Sequence, residues 1–278
     1  MLEGRLADLA ARLRGLGSVL VAFSGGADSA FLLAAAVRAL EPDRVLAATA
    51  VSNSLPAAEL AAAAEFAAGL GVAHLTPRTH EMERDGYRAN AGNRCYFCKA
   101  ELLDVLAPLA VSHGLAVVAT GTNADDARSA FRPGIRAASE RGAVAPLRDS
   151  GLTKTQVRAA SRQWGLRTWD KPAAACLSSR IAYGLEISSA RLARVERAEA
   201  ALREALSAHG IPVRDLRVRD IGDVARIEVD RDLVDRVAAC APVLAVVRAA
   251  GFSEVTVDPR GFRSGSMNEA LTAPTVSR

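Results

Sequence analysis

Ser24-Gly25-Gly26-Ala27-Asp28-Ser29 follows an apolar run, Val19 to Phe23, and opens a stretch with helical spacing. Glycine at such a junction lets the backbone close on an anion while amide groups and a helix N-terminus face it, which is the make-up of a phosphate cradle. The string lacks the Gly-Lys-Ser/Thr ending of a Walker loop and the three-glycine spacing of a dinucleotide fingerprint. A serine-glycine turn capped by Asp28 is the plainer alternative. A second junction, Gly121-Thr122-Asn123-Ala124-Asp125-Asp126, follows the run Ala116 to Thr120 and reads either as its companion or as an Asn-Asp turn. Asn93-Arg94-Cys95-Tyr96-Phe97-Cys98-Lys99 directs two thiolates at one ion or cluster, unless the pair merely starts a helix. Cys176 is the obvious third ligand, because Cys240 lies in the apolar run Val237 to Ala241 and reads as a buried structural thiol. His74, His80, His113 and His209 show no spacing that completes a zinc site. Three cysteines suit an iron-sulfur cluster with one open iron.

Such residues need a frame. The 278 residues are 50% apolar, 24% charged and 4% aromatic, so Ala, Val and Leu must build the core. No run approaches the roughly 18 apolar residues of a membrane helix, and the first residues lack the apolar centre of a signal peptide. A cytoplasmic protein without membrane contact is expected. In that reducing compartment four cysteines point to metal, cluster or thiol chemistry rather than disulfides. Net charge is +4, yet only three of the 35 basic residues are lysines, Lys99, Lys154 and Lys171. The arginine excess reads as compositional bias. No basic block interleaves with aromatics, so long nucleic acid is not an expected partner, whereas a small anionic substrate is open.

Strands are predicted at 19–23, 44–50, 72–75 and 116–120, with helices at 2–16, 28–40, 56–70 and 102–113 between them, which implies a mostly parallel sheet covered on both faces. Ligands of such sheets bind beyond the carboxyl ends of the strands. Near residue 185 the pattern changes to a long helix at 188–209, strands at 213–219 and 224–229, a largely helical 231–250 around Pro242, and a strand at 253–257. The expected organisation is an α/β domain over 1–185 that carries the cysteine loops, and a small α+β domain over 186–278 for substrate binding and oligomerisation. Residues 172–183 have no periodicity and carry Cys176; an irregular stretch of that length is usually functional or mobile. The tail after Asn268 is expected to be loose.

The first signature resembles the pyrophosphate loop of N-type ATP pyrophosphatases, and Gly121 to Asp126 is similar to their second one. That resemblance implies ATP bound by Ala22, Phe23, Ser24, Gly25, Gly26, Ser29, Gly121, Thr122 and Asn123, with Asp28 organising Mg2+ and Val51 and Ser52 near the adenosine. Thr168-Trp169-Asp170-Lys171-Pro172-Ala173-Ala174-Ala175-Cys176-Leu177-Ser178-Ser179-Arg180, the cysteine segment and Ala225 to Val229 together resemble the LarE family of ATP-dependent sulfurtransferases over nearly the whole chain. The family adenylates a carboxylate of pyridinium biscarboxylic acid mononucleotide and converts it to a thiocarboxylate, in making the nickel-pincer nucleotide cofactor. Cys176 matches its sulfur-delivering cysteine. The resemblance implies one of two sulfur sources. Either Cys95, Cys98 and Cys176 hold a 4Fe-4S cluster bearing an additional sulfide, the favoured version, or Cys176 gives up its own sulfur and each molecule works once. It also implies a homo-oligomer, with a hexamer among the options.

Ahead of Arg132-Pro133-Gly134 an acidic residue and a tyrosine are expected, but Ala130 and Phe131 stand there. Arg217 and Arg219 lie two apart on a predicted strand, so both point to one face, which is either a solvated sheet face or, as the resemblance implies, the place where with Arg180 they would hold the phosphate or carboxylate of the nucleotide substrate. Glu196, Glu199, Glu228 and Asp258 would bind a metal or pair with these arginines. A tRNA-thiolating enzyme and a non-enzymatic adenine-nucleotide sensor are the competing readings. The first lacks an evident RNA-binding module, and the second leaves the three cysteines without a role.

Overall fold

The structure, a computed structural model, describes residues 2–128, 132–172, 176–263 and 265–269. Ala130 and Phe131, Ala173 to Ala175 and the tail from residue 270 lie outside the described residues. The chain divides into two compact units, Met1–Arg84 with Asn93–Ala174, and Asp85–Gly92 with Ala175–Arg278.

In the first unit α1 (Leu2–Leu16) leads to β1 (Val19–Ala22), α2 (Ala27–Leu40), β2 (Val45–Ala48), α3 (Ala57–Gly69) and β3 (Ala73–Leu75). The chain lends α4 (Asp85–Arg88) to the second unit, then continues the first with α5 (Arg94–Ser112), β4 (Val117–Thr120), α6 (Ala124–Arg128), α7 (Pro133–Glu140), α8 (Pro146–Asp149) and α9 (Lys154–Gln163). The strands pair in parallel in the order β3-β2-β1-β4. Parallel strands are buried on both faces and therefore read as unbroken apolar runs. Val19 and Val21 enter a core with Leu9, Phe31 and Val157, while Leu20 enters a second core with Leu46, Leu103 and Leu106. The α/β class expected from the sequence is thus what the chain adopts, with the Ser24–Ser29 stretch leaving the carboxyl end of β1.

The second unit carries a separate sheet. It contains α10 (Ser189–Ala208), β5 (Leu216–Ile221), β6 (Val224–Val229), α11 (Val234–Ala238), α12 (Ala241–Ala249) and β7 (Glu254–Val257). β5 and β6 form an antiparallel hairpin and β7 joins β6 in parallel. The Ser188 hydroxyl caps α10, which buries Leu192, Val195, Ala198, Leu202 and Leu206 at helical spacing.

Three local expectations change. α5 starts at Arg94, eight residues before the predicted 102, so Cys95 and Cys98 stand on a helix and not on a loop. The helical stretch around Pro242 is two helices, because proline fits the first turn of α12, where no amide hydrogen is needed. The division falls at 174/175, eleven residues before the expected 185/186, since the irregular Cys176 stretch belongs to the second unit.

Candidate active site

The Ser24–Ser29 loop is built by its own backbone and two serines. Phe23 extends β1 by donating its amide to the Ala48 carbonyl, and the Thr49 hydroxyl fixes the Phe23 carbonyl at 2.7 Å. Gly25 then takes φ +70, a conformation glycine adopts without penalty. Ser29 closes the turn: its Oγ donates to the Gly26 carbonyl at 3.1 Å, receives the Ser24 amide and lies 3.1 Å from Ser24 Oγ. No side chain caps Gly26 at the start of α2. Gly26, the N-cap residue, brings no side chain to the first amides of this 14-residue helix, whose N-terminus carries the positive dipole end that favours an anion.

The second signature folds as a helix cap. Asn123 Oδ1 accepts the amides of Asp125 and Asp126, and Asp126 Oδ2 accepts that of Asn123. The Asn-Asp turn expected as the plainer alternative is thus present. Gly121 places it against the loop, because a Cβ there would stand 2.8 Å from the Ser29 amide nitrogen and 3.1 Å from the Asp28 carbonyl carbon. Asp125 Oδ2 accepts the Lys154 amide at 2.8 Å, and Lys154 Nζ reaches Asp28 Oδ2 at 2.5 Å. The other oxygen, Asp28 Oδ1, is buried without a hydrogen-bond partner. Burial pushes the Asp28 carboxyl above the usual carboxylate range, while the Lys154 ammonium opposes the shift. Lys171 Nζ bridges the Gly25 carbonyl at 3.0 Å and Glu59 Oε2 at 2.7 Å. Val51 and Ser52 follow β2; Val51 bonds to Pro77 and Thr79, and Ser52 Oγ begins a chain through Ser54 Oγ to the buried Glu81.

Cys95 is exposed and Cys98 half-buried, three residues apart and so on one side of α5. The Cys95 carbonyl is approached by Gly134, where a Cβ would come within 3.3 Å, so the Arg132-Pro133-Gly134 turn seats α7 against the cysteine helix. Burial pushes the Lys99 ammonium down, and the thiols of Cys98 and Cys95 pull the other way.

In the second unit half-buried Cys176 precedes a tight turn, Leu177–Arg180. Its carbonyl accepts Ser179 N (3.0 Å), Ser179 Oγ (2.7 Å) and Arg180 Nη1 (2.9 Å). Arg180 forks onto Glu199 at 2.9 and 3.1 Å. Arg219 is held by buried Glu228 at 2.6 Å, Ser266 Oγ and the Ser179 carbonyl. Arg217 donates to the Leu216 carbonyl and lies over the Phe262 ring. Burial, together with the charges of Arg180 and Arg219, pushes its pKa down to about 10. Cations crowded in this way favour an anion among them. Glu199, Glu228 and Asp258 pair with arginines, Asp258 with Arg226, Arg260 and Arg263. Cys240, expected to be buried, is half-buried at the start of α12.

No family model matches the chain. It is 42% identical over 275 residues, 98% of its own length and 100% of the relative's, to an uncharacterized protein of Synechocystis sp.. It is 35% identical over 272 residues, 98% of this chain and 96% of the relative, to the pyridinium-3,5-bisthiocarboxylic acid mononucleotide synthase of Lactiplantibacillus plantarum. The chain belongs to the LarE family. A more distant likeness, to the argininosuccinate synthase of Halobacterium salinarum, is 32% identical and covers 50% of this chain.

Against the groups that the LarE family implies, the residues answer differently. The buried, unpartnered Asp28 Oδ1 beside a helix N-terminus fits Mg2+ carried by a triphosphate. For a 4Fe-4S cluster the donor chemistry of Cys95 and Cys98, three residues apart on one helix, fits two of the ligands, and Cys176 belongs to the second unit. Sequence reasoning missed Lys154 and Lys171. Their one sequence signal was rarity, since they are two of only three lysines in the chain.

Proposed function

We propose that the chain is an ATP-dependent synthase that replaces oxygen by sulfur in the carboxylates of pyridinium biscarboxylic acid mononucleotide, within nickel-pincer nucleotide cofactor biosynthesis. The observation that carries this reading is the likeness over 98% of the chain to a named bisthiocarboxylate synthase. A substrate carboxylate oxygen attacks the α-phosphorus of ATP, the bond to the bridging oxygen breaks, and pyrophosphate leaves. Ser24, Gly25, Gly26 and Ser29 hold the phosphates at the α2 N-terminus, with Gly121, Thr122 and Asn123 beside them and Ala22, Phe23, Val51 and Ser52 toward the adenosine. Lys154 and Lys171 offset the charge that grows on the leaving pyrophosphate. Mg2+ held at Asp28 would neutralise the triphosphate. A sulfur nucleophile then attacks the acyl carbon and AMP leaves with the bonding electrons, which yields the thiocarboxylate.

For the sulfur we favour a sulfide supplied by a 4Fe-4S cluster on Cys95, Cys98 and Cys176, a choice supported by cysteine type and spacing. In the alternative, Cys176 Sγ forms the bond to the acyl carbon as AMP leaves; a base then takes the Cys176 Hα, the Cβ–Sγ bond breaks, and dehydroalanine remains. The enzyme is read as a cytoplasmic homo-oligomer. Anaerobically purified protein given ATP, Mg2+, sulfide and the mononucleotide should release pyrophosphate and AMP and form thiocarboxylate. Absence of substrate-dependent pyrophosphate release would overturn the reading.

The substrate end gives a separate expectation. Arg217→Ala should raise the KM of the mononucleotide about tenfold and leave that of ATP nearly unchanged, because a lost phosphate contact weakens the ligand it touches. Equal effects on both ligands place Arg217 elsewhere. Arg219 is unsuited to this test: its removal strips buried Glu228 of its nearer ion partner at 2.6 Å and leaves only Arg226 at 3.6 Å, a change that costs about 3 kcal/mol of stability.

A further inference from the structure

Eight residues of the second unit, Asp85–Gly92, come from the middle of the first unit's sequence. Such an excursion needs anchoring, and its anchors fall on the turn that carries Cys176. Tyr87 is 1% exposed, and its hydroxyl lies 2.5 Å from Oγ of Ser178, two residues after Cys176. Asn90 is fully buried with φ +50, an uncommon backbone state outside glycine. From there Nδ2 donates to the carbonyls of Ala182 and Leu185, both at 2.8 Å, while the Asn90 carbonyl receives the Gly184 amide. Arg88 adds its carbonyl to the Ile187 amide. Across the same turn, Arg180 to Glu199, Arg219 to Ser179 and the Ala182 amide to the Asp220 carbonyl fix it to α10 and β5. The Cys176 turn is therefore held from two sides by contacts that are far apart in sequence.

We propose that residues 85–90 form a strap whose Tyr87 and Asn90 are positioning residues for Cys176. The inference rests on the reading of Cys176 as the sulfur-handling cysteine. The strained backbone at Asn90 persists because the surrounding bonds over-determine it, a pattern that marks functional segments. A sulfur nucleophile displaced by about 1 Å loses on the order of a hundredfold in rate, so losing one tether has a measurable cost in transfer without touching ATP chemistry.

The test uses full-length Tyr87→Phe, which keeps the ring and removes one hydroxyl, and Asn90→Gly, which keeps the left-handed backbone and removes the amide. Two ratios are read: thiocarboxylate formed per pyrophosphate released, and the iodoacetamide labelling rate of Cys176 against Cys240 in reduced, metal-free protein, resolved by peptide mass spectrometry. Each variant should lose about tenfold in the first ratio and gain about fivefold in the second as the turn loosens, with pyrophosphate release unchanged. Adding Ser178→Ala to Tyr87→Phe removes both ends of the tether, and transfer should stay low; recovered transfer in the folded double variant would reduce Tyr87 to a stabilising role and overturn the proposal. Wild-type ratios in folded Tyr87→Phe would overturn it as well. If Cys176→Ser still forms product over many turnovers, the sulfur assignment fails instead, and the labelling ratio continues to decide whether the strap holds the turn.

Discussion

Asp28→Asn should lower ATP-dependent pyrophosphate release by about a hundredfold or more, because the group lost is the one placed to organise charge on the triphosphate. The substitution is nearly isosteric, and the fold should survive it. Stability should move in the opposite direction to activity. Burial holds the native-state pKa of Asp28 above its ordinary value even with Lys154 alongside. A carboxyl raised in this way contributes stability that is present at acid pH and lost as pH rises through its folded-state pKa. At neutral pH the ionised group is therefore kept at the expense of the fold, and the asparagine variant should melt higher there. Its advantage should vanish as pH falls to the ordinary carboxylate range. Calorimetry at both pH values, beside a pyrophosphate assay, reads the two effects together; pyrophosphate release at the wild-type rate would remove the loop assignment.

The cysteines are expected to separate into three and one. Cys95→Ser, Cys98→Ser and Cys176→Ser should each lower iron content and multiple-turnover sulfur transfer together, transfer falling about a hundredfold or more, whereas Cys240→Ser should change neither. Adenylation should persist in all four, since the electrophile forms before sulfur arrives. The measurement is iron content beside thiocarboxylate per protein under anaerobic conditions with added sulfide. Should Cys95→Ser and Cys98→Ser retain full transfer while Cys176→Ser alone loses it, the cluster reading fails and the sacrificial cysteine replaces it.

What was legible in the sequence was whatever local pattern encodes. Val19 to Phe23 announces a buried strand, and the serine-glycine string after it can hardly be anything but a turn into a helix. The start of α5 was hidden because charged residues occupy positions that packing buries. Arg94 is 5% exposed and Glu101 8%, the latter satisfied by the His80 amide and Arg84, so the apolar period emerges only past Leu102. Residues 85–92 were illegible for a different reason. Tyr87 and Asn90 take their partners about ninety positions away, and nothing in Asp-Gly-Tyr-Arg-Ala-Asn-Ala-Gly signals a change of unit. The paired state of Arg219 and Glu228 likewise follows from the hairpin that brings them together and not from either residue's neighbours in sequence.

The scarcity of lysine turns the chain into its own reporter. Amine-selective acylation has three side chains to find: Lys154 on Asp28, Lys171 on the Gly25 carbonyl and Lys99 beside the cysteine pair. A digest from labelled protein thus contains one channel for each flank of the phosphate loop and one for the cysteine helix, in a background of arginines that the reagent leaves alone. Occupancy by nucleotide and changes around the thiols become readable in a single spectrum of the unaltered protein, without a tag, a chromophore or a substitution.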